Sequence, residues 1–113
     1  MARNKTTYDP FSAVAEPNRR ALIETLIGKE LTVNALVALL GWNQPKVSKH
    51  LAVLKEVGLV TETRAGRFRV YRVNAEVLLP IQLWVNQFEP FWESRLDQLS
   101  QYLKDIQARE REK

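Results

Sequence analysis

The sequence contains no cysteine, which excludes disulfide bonds, thiolate metal sites and cysteine nucleophiles. It also contains a single histidine, His50, and only four glycines, which are scattered along the chain. We recognise no histidine–carboxylate pair, no serine nucleophile motif and no glycine-rich phosphate loop. We therefore expect that the protein is not an enzyme and that it binds no cofactor.

Long apolar runs are missing as well. No segment approaches the roughly 20 apolar residues that span a bilayer, and the first residues lack the apolar core of a signal peptide. With 113 residues, the chain is expected to form one domain with a modest core. We therefore expect a soluble cytoplasmic protein without a membrane partner.

Acidic residues are scarce in the middle of the chain, although the net charge of the whole is only +4. Residues 42–72 carry seven basic and two acidic residues, a net charge of +5, whereas residues 73–113 have a net charge of −2. A basic segment is either a solvated surface or a contact surface for a polyanion, and composition alone leaves both open. Its coincidence with the motif described next favours a nucleic acid.

The pattern of residues 31–59 predicts a helix, a tight turn and a second helix. Thr32 has the side chain of a helix N-cap, and Gly41 follows the last apolar position, where a left-handed C-cap favours glycine. Asn43 can cap the second helix, whose first turn contains Pro45. Two short helices joined by a glycine turn are the usual unit that places one helix in a DNA groove. The apolar positions at helical spacing are Val33, Leu36, Val37 and Leu40 in the first helix and Val47, Leu51 and Leu54 in the second.

Two further helices are predicted before this motif. A short one is expected to start at Asp9, and a second is expected to run from Glu16 to Gly28. Arg19 and Arg20 lie in the first turn of the second helix, where they either pair within the protein or contact phosphates. The buried face of the short helix would consist of Phe11, Val14 and Ala15.

A basic β-hairpin is predicted directly after the helix-turn-helix. Residues 59–63 and 67–73 form the expected strands, with a turn at 64–67. One strand face carries Arg67 and Arg69, which alternate with Phe68, Val70 and Arg72, although Tyr71 and Val73 fall on the arginine side. The hairpin is either an ordinary solvated element or a wing that contacts the phosphate backbone or the minor groove. Its place beside the helix-turn-helix favours the wing.

The chain is again helical from Leu78 onwards, and this part is strongly apolar. From Trp92, the apolar positions recur at spacings of four and three residues, as in coiled coils. Pro90 interrupts the pattern and is expected to kink or restart the helix. Such a terminal helix is too apolar to pack on so small a domain alone, so we expect it to bury its apolar side against a second copy.

Taken together, these elements resemble the ArsR/SmtB family of bacterial winged-helix repressors. The resemblance extends over about residues 10–106. Its most specific part is the Pro-x-Val-Ser-x-His-Leu-x-x-Leu pattern at residues 45–54, followed by Gly-Leu-Val at 58–60 and the basic hairpin. The other matching segments are residues 16–26, 31–36 and 66–72.

The resemblance implies a mainly α winged helix-turn-helix fold and a homodimer that binds a pseudopalindromic operator in double-stranded DNA and blocks transcription. It also implies a bacterial, nucleoid-associated protein. Glutamine can make bidentate contacts to adenine, and serine, lysine and arginine can contact base edges or phosphates. His50 either contacts DNA or is a partly buried histidine bonded within the domain. The expected DNA-binding residues are Gln44, Pro45, Lys46, Ser48, Lys49, His50, Arg64, Arg67 and Arg69.

The sequence departs from the metal sensors of this family, which place cysteines in the helix before the turn or histidines and carboxylates on the terminal helix. The segment 33–40 has no thiolate, and the terminal helix offers Glu93, Asp97 and Asp105 without a histidine. Carboxylates without nitrogen or sulfur ligands make a poor transition-metal site. The sequence therefore resembles the metal-free branch of the family.

The expected organisation is a flexible arm at 1–8, a single domain at 9–107 and a frayed charged tail at 108–113. The dimerisation helix would occupy about 78–107. Two alternatives remain open: a ligand-gated regulator whose interface aromatics, including Phe91, hold an apolar effector, or a protein-interaction module. The expected dimer interface consists of Phe11, Val14, Trp84, Phe88, Trp92, Leu96, Leu99 and Leu103.

Overall fold

The structure is a computed structural model that describes residues 8–111, except for the side chains of residues 93, 94 and 96. The predicted fold class is confirmed: a mainly helical chain with a two-stranded antiparallel hairpin after the helix-turn-helix. The elements are α1 (Pro10–Val14), α2 (Pro17–Leu26), α3 (Val33–Leu40), α4 (Gln44–Glu56), β1 (Val60–Ala65), β2 (Phe68–Val73), a short 3₁₀-helix (Ala75–Leu78), α5 (Leu79–Asn86) and α6 (Glu89–Arg111).

The chain divides into two compact units, one ending at Ile81 and the other beginning at Gln82. The sequence predicted a single domain at 9–107, with the C-terminal helix as part of it. Of the expected flexible arm, residues 1–7 lie outside the described residues.

The core of the first unit is built mainly from the predicted apolar faces of α2, α3 and α4. The predicted buried face of α1 is wrong, because Phe11 and Ala15 are exposed, Val14 is only partly buried, and Ala13 is the residue of α1 that packs into the core. In α4, every third or fourth residue points inwards, as the spacing of the apolar positions predicts. Val33, Val37 and Leu40 of α3 pack against this core while remaining partly exposed. The buried apolar side chains are Ala13, Leu22, Ile23, Leu26, Leu36, Val47, Leu51, Leu54, Leu59 and Val60.

The hairpin is tighter than predicted. Its ladder runs from the Val60–Val73 pair to the Ala65–Phe68 pair, so two residues lie between the paired strands, whereas the predicted strands leave three. Gly66 occupies the first loop position with a φ of 65°, a conformation that glycine adopts easily and that two-residue hairpin loops require. The glycine therefore allows strand pairing to continue almost to the tip.

The two faces of the hairpin also differ from the simple alternation expected of an amphipathic strand. Tyr71 and Val73 pack against the core, and Arg69 lies on the same face of β2, nearer the tip. Phe68 lies on the other face and remains more than half exposed. The face of β2 that carries Arg69 is therefore also the face that packs against the core, through Tyr71 and Val73.

The terminal helical region is interrupted where the sequence predicted a kink or a restart. Helix α5 ends at Asn86 and α6 begins at Glu89, so that Pro90 lies in the first turn of α6, where no backbone donor is lost. Helix α6 continues to Arg111, four residues past the expected end of the dimerisation helix. Only residues 112 and 113 of the expected charged tail lie outside the described residues.

Candidate nucleic-acid interface

Local caps fix the start and the end of each helix in the helix-turn-helix. The Thr32 side chain accepts a hydrogen bond from the Ala35 N–H at 3.1 Å, and the Asn43 side chain accepts one from the Lys46 N–H at 2.9 Å. Between them, Gly41 closes α3 with a φ of 70°. These predicted signals set the point at which α4 leaves the turn, and therefore which side chains lie on its open face.

The open face of α4 contains most of the DNA-binding residues predicted in this helix. Gln44, Pro45 and Lys49 are exposed, whereas Lys46 and Ser48 are half-buried. The Lys46 ammonium group lies 4.3 Å from the centre of the Trp42 ring, an arrangement typical of a cation–π contact. The helix therefore presents an amide, a hydroxyl and two ammonium groups near its N-terminus, where the helix dipole also favours anions.

His50 is the exception, and the structure corrects its expected DNA contact. It is only 7% exposed, and its Nε2 lies 3.5 Å from the Glu16 carboxylate at the start of α2. Its ring also contacts the edge of Trp42. Burial lowers the pKa of the imidazole, although the Glu16 carboxylate acts in the opposite direction. His50 is therefore a histidine bonded within the domain, which was the alternative to base contact.

The wing arginines divide into two groups. Arg64 and Arg67 are exposed near the hairpin tip, as a phosphate contact requires. Arg69 is also exposed, but its guanidinium lies 3.6 Å from Glu62, and it faces Arg64 directly across the two strands. Arg69 is thus partly neutralised within the protein.

Glu62 belongs to a charged cluster that the sequence analysis missed. Its carboxylate accepts hydrogen bonds from Lys55 at 2.8 Å and from the Tyr71 hydroxyl at 2.7 Å. The hydrogen bonds from Lys55 and Tyr71 lower the pKa of Glu62 to about 2, whereas burial and the bond to Glu62 raise the pKa of Tyr71 to about 12. One feature of the sequence could have indicated this cluster: Glu62 is an acidic residue within the most basic segment, and it pairs with Tyr71 across the hairpin.

Comparisons with known proteins agree with this geometry. The family described as bacterial regulatory protein, arsR family, matches residues 16–62, from the cap of α2 to the middle of β1. The transcriptional repressor SdpR of Bacillus subtilis is 30% identical over 69% of this chain and 87% of its own length. The chain belongs to the arsR family. It is therefore a transcriptional regulator with a winged helix-turn-helix, and not an enzyme.

Two solved structures of arsR-type proteins have the same fold. A possible transcriptional regulator for arsenical resistance has a TM-score of 0.62 and 39% identity, over 83% of this chain and 95% of that one. The homodimeric winged helix-turn-helix domain of Mb0332 from Mycobacterium bovis, a possible ArsR-family regulator, has a TM-score of 0.58 and 28% identity. That comparison covers 70% of this chain and 76% of the other.

Two arginines of this arsR-family chain lie outside the interface. Arg19 donates hydrogen bonds to the Ala13 and Ser12 carbonyl groups at 2.7 and 3.1 Å, and Arg20 donates to Val14 at 2.6 Å. These carbonyl groups belong to the last turn of α1, where the Ser12 carbonyl also accepts a hydrogen bond from the Ala15 N–H at 3.2 Å. Both side chains therefore pair within the protein and hold α1 against α2, which was the alternative to phosphate contact.

Of the residues expected at the dimer interface, two lie in the first unit and the others in the second. Val14 packs against the core of the first unit, and Phe11 is 40% exposed. In the second unit, the Phe88 ring lies 5.1 Å from Trp84 and 6.3 Å from Trp92, which forms a local aromatic cluster. The side chain of Leu96 lies outside the described part. The exposed apolar residues of this unit include Leu83, Trp84, Phe88, Phe91, Trp92, Leu99, Tyr102 and Leu103.

Two other kinds of site are missing from the part of the chain that the structure describes. Among the described side chains, which exclude those of residues 93, 94 and 96, no group of three or more histidine, aspartate or glutamate residues could hold a metal ion. No helix within residues 8–111 is both long and apolar enough to cross a membrane.

Proposed function

We propose that this chain represses transcription by binding a pseudopalindromic DNA operator as a homodimer, without a metal ion as effector. The observation that carries the proposal is the exposed N-terminal face of α4 beside a basic hairpin. In a winged helix-turn-helix, this face is the one that enters the major groove. The name of the related repressor SdpR supports repression as the outcome.

The proposed contacts follow from the chemistry of each exposed group. Gln44 would read a base edge, since its amide can pair with adenine in a bidentate manner, and Ser48 would contact a neighbouring base. Lys46 and Lys49 would contact guanine or phosphate, and Pro45 would lie against the groove wall. The wing would add phosphate contacts through Arg64, Arg67 and Arg69, and these contacts would set the salt dependence.

A second copy of the chain would double this surface. The homodimeric state of the Mb0332 domain supports such an assembly, and the exposed apolar residues of α6 supply a surface that a symmetry mate could bury. In a dimer, two recognition helices about 34 Å apart would reach successive major grooves on one side of the duplex. Occupation of a promoter by this dimer would exclude RNA polymerase sterically.

The chemistry of the available donors favours a regulator that does not sense a metal. Cysteine is absent from the sequence, and the imidazole of the only histidine is buried against Glu16. Asp97 and Asp105 of α6 have no nitrogen or sulfur ligand to accompany them, and carboxylates alone bind transition metals weakly. Addition of Zn²⁺ or arsenite should therefore leave the affinity for DNA unchanged.

Selection of bound sequences from a random DNA pool with the purified chain tests the proposal directly. We expect enrichment of an inverted repeat whose half-sites are about one helical turn apart. Recovery of no enriched sequence would contradict DNA binding, and enrichment of a single half-site would contradict the dimer.

Two variants then test the assigned contacts on the selected operator. Lys49→Ala and Arg67→Ala should each weaken binding, and Arg67→Ala should reduce the slope of log K against log salt by about 0.9, because it removes one phosphate contact. Lys29→Ala is the matched control, since Lys29 is exposed but lies in the loop after α2. The assignment is wrong if all three variants bind the operator like the wild type.

A further inference from the structure

Glu62 is an acidic residue at a place where an acid should weaken DNA binding. It lies on β1 within the segment 42–72, which has a net charge of +5, and its side chain is only 17% exposed. Both carboxylate oxygens are used. Oε1 accepts from Lys55, whereas Oε2 accepts from Tyr71 and lies near Arg69.

These contacts connect three elements that all contribute to the proposed DNA surface. Lys55 belongs to the last turn of α4, Glu62 to β1, and Tyr71 and Arg69 to β2. The hydrogen bonds from Lys55 and Tyr71 lower the pKa of Glu62 to about 2, so the carboxylate is ionised near neutral pH. The connection therefore does not act as a pH switch.

Few other hydrogen bonds among the described residues fix the outer part of the hairpin relative to the helices, although Arg67 and Phe68 lie beside Val33 and Asn34 at the start of α3. The Tyr71 backbone pairs with Leu31 through two hydrogen bonds of 2.8 and 3.1 Å, which secures the base of β2. From residue 63 to residue 70, the described hairpin makes no hydrogen bond to a helix. A cleft of about 210 Å³ separates the wing from α4, with Ser48 and Ala52 in its wall. Apolar packing therefore does not close this gap.

The wing also contains an unfavourable charge pair. Arg64 and Arg69 are direct partners across the two strands and lie on one face, and like charges in this position destabilise a sheet. Glu62 occupies the same face, two residues from Arg64 along the strand, and it lies 3.6 Å from Arg69. Its negative charge offsets the repulsion and draws Arg69 towards α4.

We propose that Glu62 is a positioning residue for DNA binding, which holds the wing against α4 so that Arg64 and Arg67 reach phosphates while α4 occupies the major groove. This inference rests on the proposed function. It makes a prediction opposite to that of simple electrostatics, in which removal of an acid from a basic surface strengthens DNA binding.

The test compares Glu62→Gln with the control Glu56→Gln on the selected operator. Both variants remove one negative charge, and Glu56 is an exposed residue of α4 that takes part in none of the ion pairs of the described residues. Glu62→Gln should weaken binding about tenfold and reduce the salt slope by about 1 to 2, because the wing arginines lose their phosphate contacts. Glu56→Gln should bind equally well or slightly more tightly, with an unchanged slope.

Tyr71→Phe provides a second variant that retains the aromatic ring and removes only the hydroxyl donor to Glu62. It should shift affinity and salt slope in the same direction as Glu62→Gln, by a smaller amount. Circular dichroism of each variant establishes that it is folded at the temperature of the assay. Because a general loss of folded protein would not change the number of phosphate contacts, the salt slope separates positioning from stability.

The outcomes distinguish this inference from the proposed function. If the wild-type chain binds its operator and Glu62→Gln binds it equally well or more tightly with the same salt slope, Glu62 does not position the wing. If the wild-type chain selects no DNA from the pool, the proposed function fails and this inference fails with it. Weaker binding by both Glu62→Gln and Tyr71→Phe, with a reduced salt slope, supports the positioning role.

Discussion

At the scale of single residues, His50 shows how the recognition helix is tied to the rest of the domain. Its imidazole lies between Glu16 and Trp42, and its Nδ1 is buried without a hydrogen-bond partner in the described structure. An ionised imidazole would be costly at such a site, since only one carboxylate partner is near. The histidine therefore contributes most to stability when it is neutral.

This environment predicts a pH dependence of stability. Because burial lowers the pKa of His50 below its usual value of 6.5, the unfolded chain binds more protons than the folded chain as the pH falls below about 7. The free energy of unfolding, measured from urea titrations by circular dichroism, should therefore decrease from about pH 7.5 to about pH 5.5. His50→Gln should flatten this profile, since the sequence has no other histidine. A wild-type profile as flat as that of the variant would contradict the lowered pKa.

Residue-scale predictions from sequence succeed where the determining contact is local. The caps at Thr32 and Asn43 were predictable because each side chain bonds to a backbone group three residues away. The surroundings of His50 and Glu62 were not, because their partners Glu16 and Lys55 belong to other elements and are brought to them by tertiary folding. A wheel of α4 places His50 on the flank of the helix, and only the position of α2 determines that this flank is buried.

At the scale of elements, the helix-turn-helix depends on short signals more than on helix propensity. Helix α3 has eight residues, too few to be stable in isolation, so its limits are set by Thr32, Gly41 and packing. Helix α4 likewise begins at the Asn43 cap, with Pro45 in its first turn. Both limits of the turn are therefore set by contacts that are local in the sequence.

The contribution of the cap can be measured with a matched pair of substitutions. Asn43→Ala should lower the free energy of unfolding by about 1 kcal/mol, because the Lys46 N–H loses its side-chain acceptor. Asn34→Ala is the control, since Asn34 is an exposed residue within α3 and alanine has the higher helix propensity there. Urea denaturation of both variants gives the two values. An equal loss in both variants would show that Asn43 has no specific role as a cap.

The hairpin was only partly predictable from the sequence. Its existence and approximate position follow from the β-branched and aromatic residues and from Gly66. The inward face did not follow, because Phe68 and Val70 are as apolar as Tyr71 and Val73. Tyr71 and Val73 pack against the core, and Leu31 pairs with the edge of β2, so the inward face depends on contacts with segments outside the hairpin.

At the scale of the whole molecule, the second unit contrasts with the first. The first unit buries a continuous core, whereas α6 leaves Leu99 and Leu103 about half exposed. A soluble monomer rarely exposes a long apolar stripe, and burial of such a stripe in a symmetric interface is the common solution. The sequence predicted the stripe from its spacing, but a partner cannot be derived from one chain.

If α6 forms the dimer interface, a new charge at Leu99 and the same charge at the adjacent Gln98 should have different effects on dimerisation. Leu99→Glu should shift the chain from dimer to monomer in sedimentation equilibrium and should abolish cooperative binding to the two half-sites, because the charge would be buried at the interface. Gln98→Glu adds the same charge to the adjacent polar position and should change neither property. A dimer that survives Leu99→Glu, or a wild-type chain that sediments as a monomer, would exclude α6 as the dimerisation surface.

The three tryptophans are divided between the two units in a way that has a spectroscopic consequence. Trp42 lies in the first unit, where it contacts His50 and Lys46, whereas Trp84 and Trp92 flank Phe88 in the second. Indole emission responds to nearby charge and to exclusion of water. The chain therefore contains one intrinsic fluorophore beside the recognition helix and two on the apolar surface of its terminal region. Replacement of Trp42, or of Trp84 and Trp92, by phenylalanine would leave tryptophan fluorescence from one unit only. Changes in that unit could then be measured without an added dye.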